Sequence, residues 1–135
     1  MSACVVDSDV IIAALDRSDP NHRRATKLIA ALADSSIELL VSSVNYAEVL
    51  VRPAADPEDL KAAIMALSVI GLRVIPPPAQ VARAAASHRA HGKISLPDGF
   101  ALATAEARTA ALATFDRRLR KRTTEAGVSL QPPRL

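Results

Sequence analysis

Tryptophan is absent from this chain, cysteine occurs once, and aromatic residues make up 2% of the 135 positions. A lone thiol, Cys4, excludes an internal disulfide and any zinc site built from several cysteines. Set beside Val5 in an apolar run, it reads as inert core. No apolar stretch approaches the roughly 20 residues needed to cross a bilayer, and the first residues lack a basic segment followed by a cleavable apolar one. A cytoplasmic protein without a membrane span is therefore expected. With so few aromatics, the core must be aliphatic.

What the chain does contain is Ala, Val, Ile and Leu, which carry most of a 50% hydrophobic content. A length of 135 residues suits one compact domain, residues 1–135, with a true hydrophobic core. The formal charge of +3 and an isoelectric point near 9.5 are compatible with a polyanionic partner. Distribution says more than the total. Bases crowd into Arg117-Arg118-Leu119-Arg120-Lys121-Arg122, whereas several acids lie inside apolar contexts. An acidic pocket beside a basic rim suits a metal-dependent enzyme acting on phosphodiesters.

The stretch Cys4-Val5-Val6-Asp7-Ser8-Asp9-Val10-Ile11-Ile12 places two carboxylates within an apolar run. A buried ionised carboxylate is costly unless a cation or hydrogen bonds compensate it. The simpler alternative is that Asp7 or Asp9 caps the next helix, for which Asp is well suited. Strands are expected at 3–6, 38–42, 72–75 and 111–115, with a short last one at 128–130. Helices are expected from residue 10, from Asp19-Pro20 through Asp34, at 44 to about 52, from Pro57 to Gly71, at 79 to about 90, and at 97 to about 109. Strands alternating with helices predict an α/β domain, a mainly parallel four- to five-stranded sheet with helices on both faces.

In such sheets, sites form at the carboxyl ends of the strands. Asp7 ends the first strand, Glu48 lies near the start of the helix after the second, and Asp98 opens a helix descending from the same edge. That helix descends about 20 Å and strand 111–115 climbs back about 17 Å. Asp116 thus returns to the level of Asp98. Carboxylates converging there repel by about 4 kcal/mol per pair at 4 Å and an effective dielectric of 20, so they need a cation or shared protons. Hard oxygen donors without cysteine point to Mg²⁺ or Mn²⁺.

Together, Val5 to Ile12, Ser43-Val44-Asn45-Tyr46-Ala47-Glu48-Val49, Leu96-Pro97-Asp98-Gly99-Phe100-Ala101 and Ala113-Thr114-Phe115-Asp116-Arg117 resemble the PIN domain, in particular VapC-type toxins of bacterial toxin–antitoxin pairs. The resemblance covers nearly the whole chain. It implies a Rossmann-like three-layer sandwich and a Mg²⁺- or Mn²⁺-dependent endoribonuclease that hydrolyses RNA phosphodiesters with metal-activated water. It also implies a homodimer held inactive by a cognate VapB-type antitoxin. The family's acidic positions match Asp7, Glu48, Asp98 and Asp116, and its Thr before the last acid matches Thr114. Asp7, Asp98 and Asp116 are then expected to hold a metal, with Glu48 binding it or orienting water and Thr114 hydrogen-bonding a carboxylate or the water. Asp9 stands where the family more often has Ser, Asn or Thr, and is an additional ligand or a helix cap.

Two other functions compete. Asp7-Ser8-Asp9-Val10-Ile11 also resembles the first motif of haloacid-dehalogenase-type phosphatases, but the rest of that pattern is missing. A noncatalytic PIN-like binding module would use the same acids to grip a partner's arginine. Arg117 and Arg118, beside Asp116, are candidates for RNA phosphates, although the simplest expectation for residues 117–122 is an exposed charged segment. His88 and His91 are spaced for one solvated helix face. The apolar stripes at 25–32 and 60–70 are core, or the surface for a dimer or antitoxin.

Overall fold

Successive side chains of a strand point to opposite faces of its sheet, and the apolar runs here are continuous enough to fill both. The computed structural model describes residues 2–135. Its strands are β1 (Ala3–Val6), β2 (Glu38–Ser42), β3 (Arg73–Ile75), β4 (Ala111–Ala113) and β5 (Leu130–Gln131), in one five-stranded sheet. Their spatial order is β3-β2-β1-β4-β5, and every neighbouring pair is parallel. Cys4, Val6, Leu39, Val41, Ala111 and Ala113 fill one core, while Val5, Leu40 and Leu112 fill another. Burial on both faces is what a parallel sheet requires.

Helices supply the outer layers. On the first face lie α1 (Ser8–Leu15), α2 (His22–Asp34) and α3 (Ser43–Leu50), contributing Val10, Ile11, Ala25, Ile29, Leu32 and Val49 to the core. A short 3-10 turn, Pro53–Ala55, leads into α4 (Pro57–Ile70), which contributes Leu67. On the second face, α6 (Leu96–Ala107) buries Ala101, Leu102 and Ala105, and α7 (Arg117–Glu125) buries Leu119. Outside α6 lies α5 (Ala79–His91), joined to it through Val81, Ala85 and Ala103. A Cβ at Gly99 would stand 2.6 Å from the Ala85 carbonyl oxygen, so the absent side chain permits this approach. The expected α/β three-layer architecture is the one observed.

Several local features differ from expectation: α1 begins at Ser8 rather than residue 10, because Asp7 caps it, and the last strand lies at Leu130–Gln131 rather than at 128–130. Helix α2 begins at His22 rather than at Asp19-Pro20, because the Asp19 carboxylate accepts the Asn21 N–H at 2.8 Å and holds a turn there. Strand β4 ends at Ala113, leaving Thr114 and Phe115 beyond the regular pairing. The segment 117–122 is exposed only in part: Arg117, Arg118 and Lys121 are exposed, whereas Leu119 and Arg120, with Thr123, form the buried face of α7. The core expectation holds for Ala25, Ile29 and Leu32, but α4 leaves Ile64, Met65 and Val69 exposed, the last at 87%. Among the described residues, no helix is long and apolar enough to cross a membrane.

Arg120 explains how α7 is anchored. Its Nη1 donates to the Thr114 carbonyl at 2.9 Å and its Nη2 to the Pro132 carbonyl at 2.7 Å. One guanidinium therefore ties the end of β4 to the segment after β5. Arg120→Met would keep the buried stem and leave both carbonyls without this donor. The expected loss is about 1–3 kcal/mol of unfolding free energy by urea titration. An unchanged urea midpoint would show that neither bond contributes.

Candidate active site

The chain leaves β1 for β2 and β3 on one side, and β4 lies on the other. This reversal is the switch point at which open α/β sheets form their crevices, outside the carboxyl ends of the strands. Asp7 follows β1 and Thr114 follows β4. The two side chains meet across the switch point.

Asp7 is 1% exposed. Its Oδ1 accepts the Ser8 N–H at 2.8 Å, and its Oδ2 accepts the Thr114 hydroxyl at 2.8 Å. The same hydroxyl oxygen accepts the Asp116 N–H at 3.1 Å. Asp116 in turn caps α7, its Oδ1 accepting the Leu119 N–H at 2.9 Å. Thr114 thereby couples the buried acid to the exposed one. The helix cap of α1 is Asp7, not Asp9. Asp9 instead reaches across to β4, where its Oδ2 accepts the Phe115 N–H at 3.1 Å. Its Oδ1 stands 3.5 Å from the Thr114 hydroxyl, whose single proton has its shorter contact with Asp7.

Asp98 and Glu48 enter from the helices. Ser95 caps α6 by accepting the Asp98 N–H at 3.2 Å, which sets Asp98 in the first turn. Buried Asn45 donates from Nδ2 to Glu48 Oε1 at 3.0 Å and to the Pro97 carbonyl at 3.2 Å. It links α3, and Glu48 with it, to the start of α6. Its Oδ1 is buried without a hydrogen-bond partner among the described residues, so the amide donors are engaged while an acceptor is left over.

The acids act on one another. Burial, then the charges of Asp116, Glu48 and Asp9, push Asp98 up to about 6 despite the Ser95 hydrogen bond. Burial and the charges of Asp9 and Asp98 hold Asp7 well above the usual carboxylate range, opposed by its bonds to Thr114 and Ser8. Asp9 is also raised, chiefly by burial and against its hydrogen bonds. All these donors are hard carboxylate oxygens, and their repulsion is of the kind a divalent cation offsets. Among the described residues, no three His, Cys, Asp or Glu side chains already form a metal-holding group. The fit to Mg²⁺ or Mn²⁺ is thus one of donor chemistry and charge, not of preset geometry.

The remaining candidates separate. Arg117 and Arg118 are both exposed, at the start of α7 next to Asp116. His88 is not on a solvated face: it is buried, between Glu106 and Arg122. Asn45, Ser95 and Arg120 shape the site without figuring among the sequence-based candidates. Ser95 was findable, since Ser followed by Leu-Pro-Asp is a helix-start signature. Asn45 and Arg120 were not, because their partners Pro97 and Pro132 are supplied by other parts of the chain.

Comparison with known proteins identifies the family and the fold. A family model described as the PIN domain matches residues 4–124. The chain superposes on VapBC-1 from nontypeable Haemophilus influenzae with a TM-score of 0.72 and 18% identity, covering 96% of each chain. It superposes on Mycobacterium tuberculosis VapC20, described as a sarcin–ricin loop cleaving toxin, with a TM-score of 0.70 and 19% identity, covering 93% of this chain and 95% of that one. A toxin–antitoxin complex from Klebsiella pneumoniae gives a TM-score of 0.66 and 25% identity, with 84% and 86% covered. No curated protein matches the chain in sequence.

The raised carboxylates have a consequence for stability. Asp98 moves from 3.8 to about 6, so between those values the folded chain keeps a proton that the unfolded chain has released. Stability from this group is full below about pH 4 and is lost as pH rises through about 6; Asp7 and Asp9 shift in the same direction. In EDTA, the thermal midpoint is therefore expected to fall between pH 5 and 7, and added Mg²⁺ or Mn²⁺ at pH 7 should restore it. A midpoint that rises over that interval without metal would contradict the charge assignment.

Proposed function

Because the chain belongs to the PIN domain family, we propose that it is a Mg²⁺- or Mn²⁺-dependent endoribonuclease, residues 1–135 forming one nuclease domain. We assign it the role of the toxin in a cytoplasmic toxin–antitoxin pair. The observation that carries this proposal is the placement of buried Asp7 with Asp9, Asp98 and the cap residue Asp116 about the Thr114 hydroxyl at the switch point, where burial and neighbouring acid charges raise Asp7, Asp9 and Asp98. RNA as substrate and a VapB-type antitoxin as partner are supported by what the structural neighbours are described as doing and binding.

Asp7, Asp98 and Asp116 would hold the cation directly or through water, with Glu48 assisting and Asp9 available as a further donor. When bound, the cation would act as a Lewis acid and offset charge on the phosphodiester. Asp7 is suited to its part because both oxygens are oriented, by Ser8 and Thr114. Each keeps a further lone pair. Asp116 commits Oδ1 to the helix cap, leaving Oδ2 for the site. Glu48 commits Oε1 to Asn45, so Oε2 can accept from the water that attacks phosphorus in line with the leaving 3′ oxygen. The products would carry a 5′-phosphate and a 3′-hydroxyl.

The noncatalytic binding module uses the same carboxylates without turnover, and metal uptake measured by calorimetry separates it. The phosphatase alternative needs Asp9 as a general acid/base, yet Asp9 Oδ2 accepts the Phe115 N–H. For the assembly, the exposed Met65 and Val69 of α4 offer an apolar surface to a second copy or to the antitoxin.

Purified protein with Mg²⁺ or Mn²⁺ is expected to cleave RNA, and EDTA to abolish the cleavage. Asp98→Asn should lower the rate by about 100-fold or more while folding at least as stably as wild type, since it removes a repelling charge. Equal rates for the two proteins would remove Asp98 from the site. Light scattering should give a dimer for wild type and a monomer for Met65→Glu with Val69→Glu; a monomeric wild type would end the homodimer assignment.

A further inference from the structure

Beside the carboxylates, α7 and the loop between α5 and α6 enclose two adjoining basins. The first, about 290 Å³, is bordered by His91 to Lys93 on one side and by Arg118, Lys121, Arg122 and Glu125 on the other. The second, about 460 Å³, shares Gly92, Lys93 and Arg118 with it and runs past Arg89 to Ser95. Five cations, Arg89, Lys93, Arg118, Lys121 and Arg122, thus line one continuous groove against a single acid, Glu125. Both walls begin at the candidate site. Ser95 accepts the Asp98 N–H, and Asp116 is the cap of α7.

One of these cations is held in place from behind. Arg122 Nε donates to His88 Nδ1 at 3.1 Å, which makes Nδ1 an acceptor and leaves the imidazole proton on Nε2. His88 Nε2 then donates to Glu106 Oε1 at 2.5 Å. Glu106, His88 and Arg122 lie on α6, α5 and α7, so the chain of bonds crosses three helices. Gly92 completes the mount: a Cβ there would stand 3.1 Å from Arg122 Cδ and 2.9 Å from the His88 carbonyl oxygen. The Arg122 side chain is only 23% exposed. Part of the ordering cost that a free surface arginine meets on binding is already met in the fold.

We propose that this groove binds the phosphate backbone of single-stranded RNA and leads the strand to Asp98 and Asp116, with His88 and Glu106 as positioning residues for Arg122. The proposal rests on the endoribonuclease reading for its substrate and goes beyond it in naming the path. No Phe, Tyr or Trp lines either basin, so bases are not stacked there. Affinity from the groove is electrostatic, with little preference for sequence.

The test is fluorescence anisotropy of a labelled single-stranded RNA with the full chain, in EDTA to prevent cleavage, across a series of salt concentrations. Lys93→Gln with Lys121→Gln is expected to weaken binding and to reduce the slope of log affinity against log salt by about 1.4, or about 0.7 per lost phosphate contact. Arg122→Lys keeps the charge and loses the mount; it should bind several-fold more weakly with nearly the wild-type slope, and Arg122→Gln should lower both. Wild-type affinity and slope in the Lys93, Lys121 double variant would overturn the groove, as would a wild type that binds no RNA. Duplex DNA competing as well as single-stranded RNA at equal salt would overturn the choice of ligand. Wild-type Arg122→Lys affinity would remove the positioning role. If wild type binds RNA with the expected slope yet cleaves none with Mg²⁺ or Mn²⁺, the nuclease reading fails and the groove stands as a binding surface.

Discussion

The hydroxyl of Thr114 has one proton to give and lone pairs to receive, and both capacities are spent across the switch point of the sheet. It donates to buried Asp7 and accepts from the Asp116 backbone. The residue is itself held from both sides, its N–H donating to the Gln131 carbonyl at 3.2 Å and its carbonyl accepting from Arg120. An acid as buried as Asp7 needs such a partner, because an unsatisfied polar group in a low-dielectric interior costs several times what a solvated one does. Without this contact, the neighbouring ends of β1 and β4 would still be tied by the Asp7 N–H to the Ala113 carbonyl and by Asp9 to the Phe115 N–H, but the Asp7 carboxylate would lose its link to Asp116.

A cluster of like charges is a poor stabiliser, so the rest of the scaffold must hold it together. Close approach of α5 and α6 at Gly99, the Ser95 cap and the Asn45 bridge from Glu48 to Pro97 each set the start of α6. These contacts are neutral or involve backbone groups, and they do not discharge the carboxylates. The site therefore keeps its repulsion. This is the usual arrangement in which local instability at a functional site is carried by the surrounding fold.

Helix α7 serves both ends of that arrangement. Leu119, Arg120 and Thr123 face inward, and Arg120 closes the C-terminal segment against β4. Arg118, Lys121 and Arg122 line the groove on its other side. Two arginines two residues apart thus differ in kind: the planar fork of Arg120 satisfies two carbonyls in the interior, and Arg122 donates from Nε to His88 while its Nη1 stands 3.7 Å from Glu125.

The primary sequence by itself determined the α/β alternation, the parallel sheet and the arrival of Asp7, Glu48, Asp98 and Asp116 at one edge. Those features follow from hydrophobic periodicity, helix-start residues and the rise per residue, all of which are local. The family resemblance likewise rested on short contiguous motifs. Tertiary structure alone decided that Asp7 is the cap and Asp9 the strut to Phe115, that Leu119 and Arg120 of the basic run face the interior, and that His88 is buried behind Arg122. Apart from the cap, which Asp7 makes with the adjacent Ser8 N–H, these depend on partners many positions away: 106 between Asp9 and Phe115, and 34 between His88 and Arg122. The two acids of the opening apolar run look equivalent along the chain. They part only where β4 comes alongside β1, because the Thr114 hydroxyl has its short contact with one of them.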